Sequence, residues 1–274
     1  MMKYYKLLTI AGSDSGGGAG IQADLKTFSA LGCYGMSVIC ALTAQNTQSV
    51  TGIYPVPPEF IALQIDTILE DIGVDAVKIG MLHSIEVIMA VTERLMHHRV
   101  QNIVVDPVMV STGGDKLLQD DAIDALINIL FPIATVITPN LPEASMLLNR
   151  PIDDLLKADD SQLEASCKHL STFGSQSVLL KGGHGKSDRM VDLLYLSKED
   201  RLKRFESHRI DTRNTHGTGC TLSAAIAAHL AKGLPIETAV FDAKTYITGA
   251  IEAGANYRLG NGHGPVHHFH RYWK

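Results

Sequence analysis

The sequence contains no apolar run long enough to span a membrane, so we expect no transmembrane segment. Its four cysteines form no C-x-x-C pair and show no metal-ligand spacing, which is typical of reduced thiols in a cytoplasmic protein. No stripe of basic residues is present, and the net charge of −5 argues against a nucleic-acid partner. The N-terminal residues lead into a strand-like run and not into a signal peptide.

Internal repeats, low-complexity linkers and shifts in composition are also absent along the 274 residues. A chain of this length with 45% hydrophobic residues is long enough to bury a sizeable core. We therefore predict a single domain that covers residues 1–274.

Short apolar runs alternate with amphipathic stretches along most of the chain. The apolar runs are typical of buried parallel strands, and the alternation predicts an α/β fold with helices on both faces of a central, mostly parallel sheet. The predicted strands are Lys6–Ala11, Ser37–Thr43, Ala76–Ile79, Asn102–Val105, Thr135–Thr138 and Ser177–Lys181. The predicted helices are Ile21–Leu31, Pro58–Gly73, Ile85–His98, Asp120–Leu130, Glu143–Leu148 and Leu163–Phe173.

The C-terminal third departs from this alternation. Two further strands, Val191–Leu196 and Arg204–Ile210, are predicted around the polar turn Ser197–Asp200. Two helices, Thr218–Lys232 and Ile236–Ala253, follow them. A glycine ends the first of these helices and a proline opens the second, as is usual for such boundaries.

Glycines and polar residues follow six of the predicted strands. Because ligands bind outside the carboxyl ends of strands in open α/β sheets, we expect these loops to share one cleft. The loops begin at Gly12, Gln45, Gly80, Asp106, Pro139 and Gly182.

Gly217 and Gly219 lead directly into the helix predicted from Thr218, and Cys220 stands beside them. A glycine turn at a helix start leaves backbone N–H groups free, and the helix dipole adds partial positive charge there. We call residues Gly217–Cys220 the anion seat, because such a site binds phosphate. The same position favours the thiolate form of Cys220.

Neither common nucleotide-binding fingerprint is present. The first glycine-rich loop, Gly12–Gly20, lacks the Gly-Lys-Ser or Gly-Lys-Thr ending of a Walker loop. It also fails the G-x-G-x-x-G spacing, because Ile21 stands where the last glycine would be. We expect Ser13–Gly20 to act as a flexible cover over a substrate.

Several motifs resemble those of the hydroxymethylpyrimidine/phosphomethylpyrimidine kinase family, and they occur in the same order from Thr9 to Trp273. They are Thr9–Asp14, Gly18–Phe28, Lys78–Met81, Thr138–Ala144, Lys181–His184, Asn214–Ala225 and Gly264–His270. The resemblance implies a three-layer α/β/α ribokinase-like fold. It also implies a role in thiamine biosynthesis, in which ATP phosphorylates 4-amino-5-hydroxymethyl-2-methylpyrimidine and then its monophosphate.

The resemblance places Cys220 at the catalytic position, where related sugar kinases carry an aspartate base. Gly217, Thr218 and Gly219 would supply N–H groups to the moving phosphoryl group, with an ordinary helix cap as the alternative. The candidate Mg²⁺ ligands, with hard carboxylate oxygens, are Asp106 and Glu143. The candidate ATP-binding residues are Asn140, Lys181 and, more weakly, Lys244. For Glu143 the alternative is a first-turn acid, and for Lys244 it is a solvated helix face.

Gln45 is the best candidate for recognising an aminopyrimidine, because one amide side chain can accept a hydrogen bond from the donor of the ring and donate one to the neighbouring acceptor. Asp24 would add an acceptor or orient the first helix. As in the family, the flat ring would pack against Gly12, Met81 and Val108. Taken alone, Met81 and Val108 would be interpreted as ordinary core residues.

Two other functions stay open from the sequence: a pyridoxal kinase of the same superfamily, and a non-catalytic ligand-binding protein. The family is often dimeric, so we expect a homodimer with a small-molecule substrate.

The tail carries His263, His267, His268 and His270 with loose spacing, which favours structural packing over metal binding.

Overall fold

The computed structural model describes residues 3–109, 122–182 and 188–273. Its strands are β1 (Lys6–Gly12), β2 (Tyr34–Gln45), β3 (Val50–Pro55), β4 (Ala76–Ile79), β5 (Ile103–Val105), β6 (Val136–Ile137), β7 (Ser177–Lys181), β8 (Arg189–Leu196) and β9 (Arg201–His208). They form one sheet in the order β3-β2-β1-β4-β5-β6-β7-β8-β9. The six central strands pair in parallel, while β3, β8 and β9 run antiparallel to their neighbours. The predicted, mostly parallel sheet is confirmed.

Nine α-helices are described. They are α1 (Gly20–Ala30), α2 (Pro58–Asp71), α3 (Ile85–His97), α4 (Ala122–Ala125), α5 (Leu141–Leu147), α6 (Ile152–Leu156), α7 (Asp160–Ser171), α8 (Thr218–Ala231) and α9 (Ile236–Gly254). A π-helical turn at Leu126–Leu130 and a 3₁₀ turn at Phe131–Ile133 continue α4. No helix in the described ranges is long and apolar enough to cross a membrane.

Two apolar clusters lie on opposite faces of the sheet. Along β1, Leu8 and Ile10 belong to the cluster that α2, α3, α5 and α7 cover, whereas Leu7 belongs to the cluster under α1, α8 and α9. Successive side chains of a strand point to opposite faces, so a strand that is apolar throughout contributes to both clusters. The result is the three-layer α/β/α arrangement that we predicted.

The structure differs from the sequence prediction at the sheet edge and after β5. β3 is not predicted, because five of its six residues are exposed and it carries a glycine and a proline, as edge strands do. α6 has only five residues and gives no helical periodicity. The helix predicted at Asp120–Leu130 is α4 with its π turn, and its first two residues lie outside the described ranges.

The helix α8 fixes the geometry of the anion seat. Residues 221–228 are all buried, so this helix is surrounded by protein for two turns. It packs against α1, α9, β1, β4 and β5. Because α8 is held on several sides, its N-terminus is fixed beside the carboxyl ends of the central strands.

Candidate functional site

The first turn of α8 has open backbone donors. Gly217 is the residue before the helix, and its φ of 78° lies in the left-handed region that favours glycine. None of the described side chains caps this helix end. The first intrahelical bond is donated by the Thr221 N–H to the Gly217 carbonyl, at 2.9 Å. The N–H groups of Gly219 and Cys220 precede that bond, so an anion is their natural acceptor.

Cys220 lies between two helix N-termini, on the first turn of α8 and against the start of α1. The backbone N–H of Gly20 is close enough to lower the pKa of the Cys220 thiol. Burial nevertheless raises the pKa of Cys220 to about 11, although the Lys78 ammonium lowers it. The partly buried thiol is therefore favoured over the expected thiolate, because removing the thiol from water outweighs the effect of the neighbouring ammonium.

Asp106 and Lys181 form a buried ion pair beside the anion seat. The Lys181 Nζ lies 2.7 Å from Asp106 Oδ1, and the Thr138 and Ser223 hydroxyls also donate to this carboxylate. Burial would raise the pKa of Asp106, but the Lys181 and Lys78 ammonium groups more than offset it, so the pKa is lowered. A Cβ added to Gly219 would lie 3.4 Å from the Lys181 Nζ. The ion pair and the anion seat therefore enclose one space.

Asn140 and Glu143 form a reciprocal capping box at the start of α5. The Glu143 N–H donates to Asn140 Oδ1 and the Asn140 N–H donates to Glu143 Oε2, each at 2.8 Å. Glu143 Oε2 also lies 4.0 Å from the Lys181 Nζ. Burial and the neighbouring Asp106 raise the pKa of Glu143 to about 7. Glu143 therefore caps the start of α5, as the alternative interpretation predicts, and it also lies beside the Asp106–Lys181 ion pair.

The oxygen ligands fit a magnesium ion that also binds substrate phosphates. No group of three or more His, Cys, Asp or Glu side chains that could hold a metal occurs in the part of the chain that the structure describes. Mg²⁺ usually takes one or two carboxylates and completes its shell with phosphates and water. Asp106 and Glu143 supply two such carboxylates next to the open donors of the anion seat.

Lys78 is a functional candidate that the sequence reasoning missed. Its ammonium is fully buried and lies 2.9 Å from Asp24 Oδ2, which also accepts a hydrogen bond from the Thr9 hydroxyl. The sequence feature that could have identified it is a lysine within the predicted strand Ala76–Ile79. All four residues of this strand are buried in the structure. A charge at such a position needs a partner, and its partner here is Asp24.

Asp24 has no exposed surface in this structure, and its Oδ1 has no hydrogen-bond partner among the described residues. Burial raises the pKa of Asp24 despite the Lys78 ammonium. A side chain needs exposed surface to contact a substrate. The structure therefore favours the alternative role of Asp24, which is to orient α1.

The glycine-rich loop lies against the anion seat, held by Asp14. The Asp14 carboxylate accepts hydrogen bonds from the N–H groups of Gly16, Gly18 and Ala19 and pairs with His216 Nε2 at 2.8 Å. A Cβ on Gly217 would lie only 1.9 Å from the Gly18 carbonyl oxygen. The loop therefore occupies a covering position, and Asp14 is a second residue that the sequence reasoning did not single out.

The candidate substrate residues lie at the ends of β1, β2, β4 and β5. Met81 Cε lies 2.6 Å from the point where a Gly12 Cβ would be, so these two residues form one wall. Gln45 ends β2 and its backbone exchanges two hydrogen bonds with the Ser15 hydroxyl. Val108 is partly buried just after Asp106. No direct contact joins Gln45 or Val108 to the Gly12 and Met81 wall among the described hydrogen bonds and ion pairs.

Lys244 is buried, so the alternative of a solvated helix face is wrong. Its Nζ lies 2.7 Å from Asp192 Oδ2, while Asp192 Oδ1 accepts a hydrogen bond from the Gly182 N–H. Asp192 thus links the lysine on α9 to Gly182, the residue that follows Lys181. The histidines of the tail pack against aromatic rings and backbone, for example His267 against Trp273.

Comparison with known proteins gives consistent matches. Residues 14–267 match the family described as phosphomethylpyrimidine kinase. The chain is 52% identical over 267 residues to the hydroxymethylpyrimidine/phosphomethylpyrimidine kinase of Rhizobium meliloti, covering 97% of this chain and 98% of that protein. An ADP complex of Bacillus subtilis pyridoxal kinase superposes with a TM-score of 0.87 at 41% identity, covering 97% and 98% of the two chains. The phosphomethylpyrimidine kinase of Clostridium difficile gives a TM-score of 0.78 at 43% identity, covering 91% and 100%.

Proposed function

Because this chain belongs to the phosphomethylpyrimidine kinase family, we propose that it phosphorylates 4-amino-5-hydroxymethyl-2-methylpyrimidine with ATP and then phosphorylates the monophosphate product. The observation that carries this proposal is the anion seat of Gly217, Thr218, Gly219 and Cys220, which adjoins the Asp106–Lys181 ion pair. Open N–H donors and a lysine suit a phosphoryl group in transfer, because charge spreads over its oxygens. We also propose that the protein is cytoplasmic, because the reaction consumes ATP.

The proposed chemistry joins the alcohol oxygen to the terminal phosphorus while the bond to the bridging oxygen of ATP breaks. The N–H groups of Gly219 and Cys220 hold the transferred group, and Lys181 offsets charge on the phosphates. Phosphoryl transfer has a loose transition state, so the alcohol proton leaves late and strong base assistance is not essential. Since burial keeps the Cys220 thiol protonated in the free protein, a base role requires substrate binding to lower its pKa.

The remaining candidates have supporting roles in this proposal. Asp106 and Glu143 would hold Mg²⁺, which when bound offsets phosphate charge. Asn140 and Lys244 would bind ATP. In support, Asn140 pairs with Lys181 in a β-bridge, and Lys244 is linked through Asp192 to the Gly182 N–H. Gln45 would form hydrogen bonds with the pyrimidine, and the ring would pack against Gly12, Met81 and Val108.

The direct test is to incubate the purified protein with ATP, Mg²⁺ and the hydroxymethylpyrimidine and to measure product mass. We expect a product with one added phosphate that is then converted into one with two. A product that stops at one addition would contradict the second step, and absence of any product would contradict the proposal and favour a non-catalytic ligand-binding protein.

Replacing Cys220 with alanine should harm the first phosphorylation more than the second. The first acceptor is an alcohol that must lose a proton, whereas the phosphate acceptor is already ionised near neutral pH. General base assistance contributes about 10²–10⁴-fold. Because strong base assistance is not essential here, we expect a loss near the lower end of that range in the first step and a much smaller one in the second. Separate turnover assays on the two substrates check this, and equal losses would leave Cys220 only a positioning role.

A pyridoxal kinase is the second candidate, because the Bacillus subtilis pyridoxal kinase is 41% identical to this chain. Kinetics with the hydroxymethylpyrimidine and pyridoxal side by side decide between them. Our proposal expects the larger kcat/KM for the pyrimidine, and the reverse order would favour the vitamin-B6 substrate.

We also propose a homodimer formed through the sheet edge at β3. Five large apolar side chains are exposed on the β2–β3 hairpin and on α2: Leu42, Ile53, Tyr54, Phe60 and Leu63. Exposed apolar surface of this kind, beside an edge strand, is typical of an interface. Sedimentation velocity should give twice the mass of one chain, and the double variant Leu42→Glu, Tyr54→Glu should give a monomer. A wild-type monomer at micromolar concentration would contradict this.

A further inference from the structure

The histidine-containing tail has a path that neither the proposed chemistry nor a metal site explains. Residues 260–268, which we call the strap, run from the β2–β3 turn to the first turn of α8. At one end the strap contacts Thr47, two residues after Gln45. At the other end it contacts His216 and Thr221, the residues that flank the anion seat.

At its first end the strap binds Thr47. The Gly262 N–H donates to the Thr47 hydroxyl at 3.1 Å, and the His263 N–H donates to the Thr47 carbonyl at 2.9 Å. The approach is close enough to require glycine, because a Cβ on Gly262 would lie 1.9 Å from the Thr47 carbonyl oxygen. Gly260 has a φ of 71° and faces the Thr47 side chain at similarly short range.

The turn that carries Thr47 is held by internal hydrogen bonds. The Asn46 side chain accepts hydrogen bonds from the N–H groups of Gln48 and Ser49, and the Asn46 N–H donates to the Ser49 carbonyl. Gln45 is two residues before Thr47, and its backbone is bonded to Ser15 in the glycine-rich loop. A movement of Thr47 is therefore passed to Gln45 through a short, hydrogen-bonded turn.

At its second end the strap is bound to His216 and Thr221, which flank the anion seat. The His216 N–H, just before Gly217, donates to the Gly264 carbonyl at 3.0 Å. The ring of His268 lies with its Nε2 3.0 Å from the Thr221 hydroxyl, and both residues are buried. Burial lowers the pKa of His268 to about 3, so this contact joins two neutral groups over the physiological pH range.

The strap also forms hydrogen bonds with α9, and these fix the position of its second end. The Tyr246 hydroxyl donates to the His268 carbonyl at 2.7 Å, and the His267 N–H donates to the Ala250 carbonyl at 2.9 Å. The strap is thus bonded to Thr47 at residues 262 and 263, to His216 at residue 264 and to α9 at residues 267 and 268, so it acts as a spacer of fixed length.

We propose that the strap positions the pyrimidine-reading end of β2 relative to the anion seat, with Thr47 and His268 as its positioning residues. This inference rests on the proposed function, because it concerns the distance between acceptor and phosphoryl donor. Loss of the Thr47 contact should therefore raise the KM for the pyrimidine, whereas the KM for ATP should stay unchanged. Loss of one hydrogen bond corresponds to about three- to tenfold in KM.

The test uses matched variants of the hairpin. Thr47→Val removes the hydroxyl that accepts from Gly262, Thr47→Ser keeps it, and Thr51→Val removes a hairpin hydroxyl that donates to the Ala44 carbonyl within the hairpin. We expect a three- to tenfold higher pyrimidine KM for Thr47→Val alone, with wild-type values for Thr47→Ser and Thr51→Val. Thermal unfolding of each variant checks that the fold is kept.

A second pair of variants separates positioning from general destabilisation. Gly262→Ala forces the strap away from Thr47, whereas a methyl on Gly52 of the same hairpin would lie an ordinary 3.7 Å from the Ala44 Cβ. Gly262→Ala should raise the pyrimidine KM and Gly52→Ala should not. Combining Gly262→Ala with Thr47→Val should add nothing, because the first change has already broken the contact.

The outcomes distinguish this inference from the proposed function. Wild-type protein that forms no phosphorylated pyrimidine would overturn the proposed function. Active wild-type protein with an unchanged KM in Thr47→Val, or the same rise in Thr51→Val, would overturn the strap proposal alone. Equal increases in the KM for ATP and for the pyrimidine would also overturn it.

Discussion

Replacing Gly219 with alanine should leave the protein folded and at least as stable as wild type, and it should lower kcat by about 10²–10³-fold. The added methyl would lie 3.4 Å from the Lys181 Nζ and 3.6 Å from Asp106 Oδ2, so the ligand-free structure accommodates it. Alanine is also a better helix former than glycine. The same methyl would fill space that the transferred phosphoryl group needs, and small displacements of reacting groups are costly.

Thermal unfolding and steady-state kinetics on the same preparation check this expectation. Gly52→Ala is the matched control, because its methyl makes only an ordinary contact and lies on the edge hairpin. Gly217→Ala gives the contrasting case, since a Cβ there would lie 1.9 Å from the Gly18 carbonyl oxygen and should destabilise the fold as well. A stable Gly219→Ala protein with undiminished kcat would show that the phosphoryl group is not held at the anion seat.

Replacing Lys78 with methionine should destabilise the protein strongly. The Lys78 ammonium and the Asp24 carboxylate have no exposed surface, and the lysine is the only cation that contacts Asp24 in the described part of the chain. Removing one partner of a buried ion pair costs about 3–5 kcal/mol, because the other charge is left without compensation. Urea unfolding with a linear extrapolation measures the change in free energy of unfolding.

A double variant separates the charge from the packing. Asn in place of Asp24 removes the carboxylate, so Lys78→Met with Asp24→Asn should recover most of the lost stability. Lys157→Met is the surface control, since its partner Asp153 is as exposed as the lysine itself and such pairs contribute little. If the single Lys78→Met variant unfolded like wild type, the buried pair would have no structural importance.

The parts of the fold that were predictable are those where one physical signal dominates. β4 and β7 have the predicted bounds, because short runs rich in Val, Ile and Leu that end at a glycine admit few alternatives. β3 was not predictable, since an exposed edge strand is defined by its pairing with β2 and not by its own hydrophobicity.

The same division applies to the candidate site. The anion seat follows from local sequence, because a left-handed glycine before a helix determines where the N–H groups point. The protonation of Cys220 does not, since it depends on how α1, β4 and α8 bury the thiol together. Likewise Lys78 and Asp24 are 54 residues apart, and only the folded chain brings their charges into contact.

The most direct test of the account is a crystal structure with a non-hydrolysable ATP analogue and the hydroxymethylpyrimidine bound together. The account predicts that the terminal phosphorus lies over the first turn of α8. Its oxygens should accept hydrogen bonds from the Gly219 and Cys220 N–H groups, with the Lys181 ammonium beside them. A terminal phosphorus remote from that turn, with the pyrimidine hydroxyl turned away from Cys220, would contradict it.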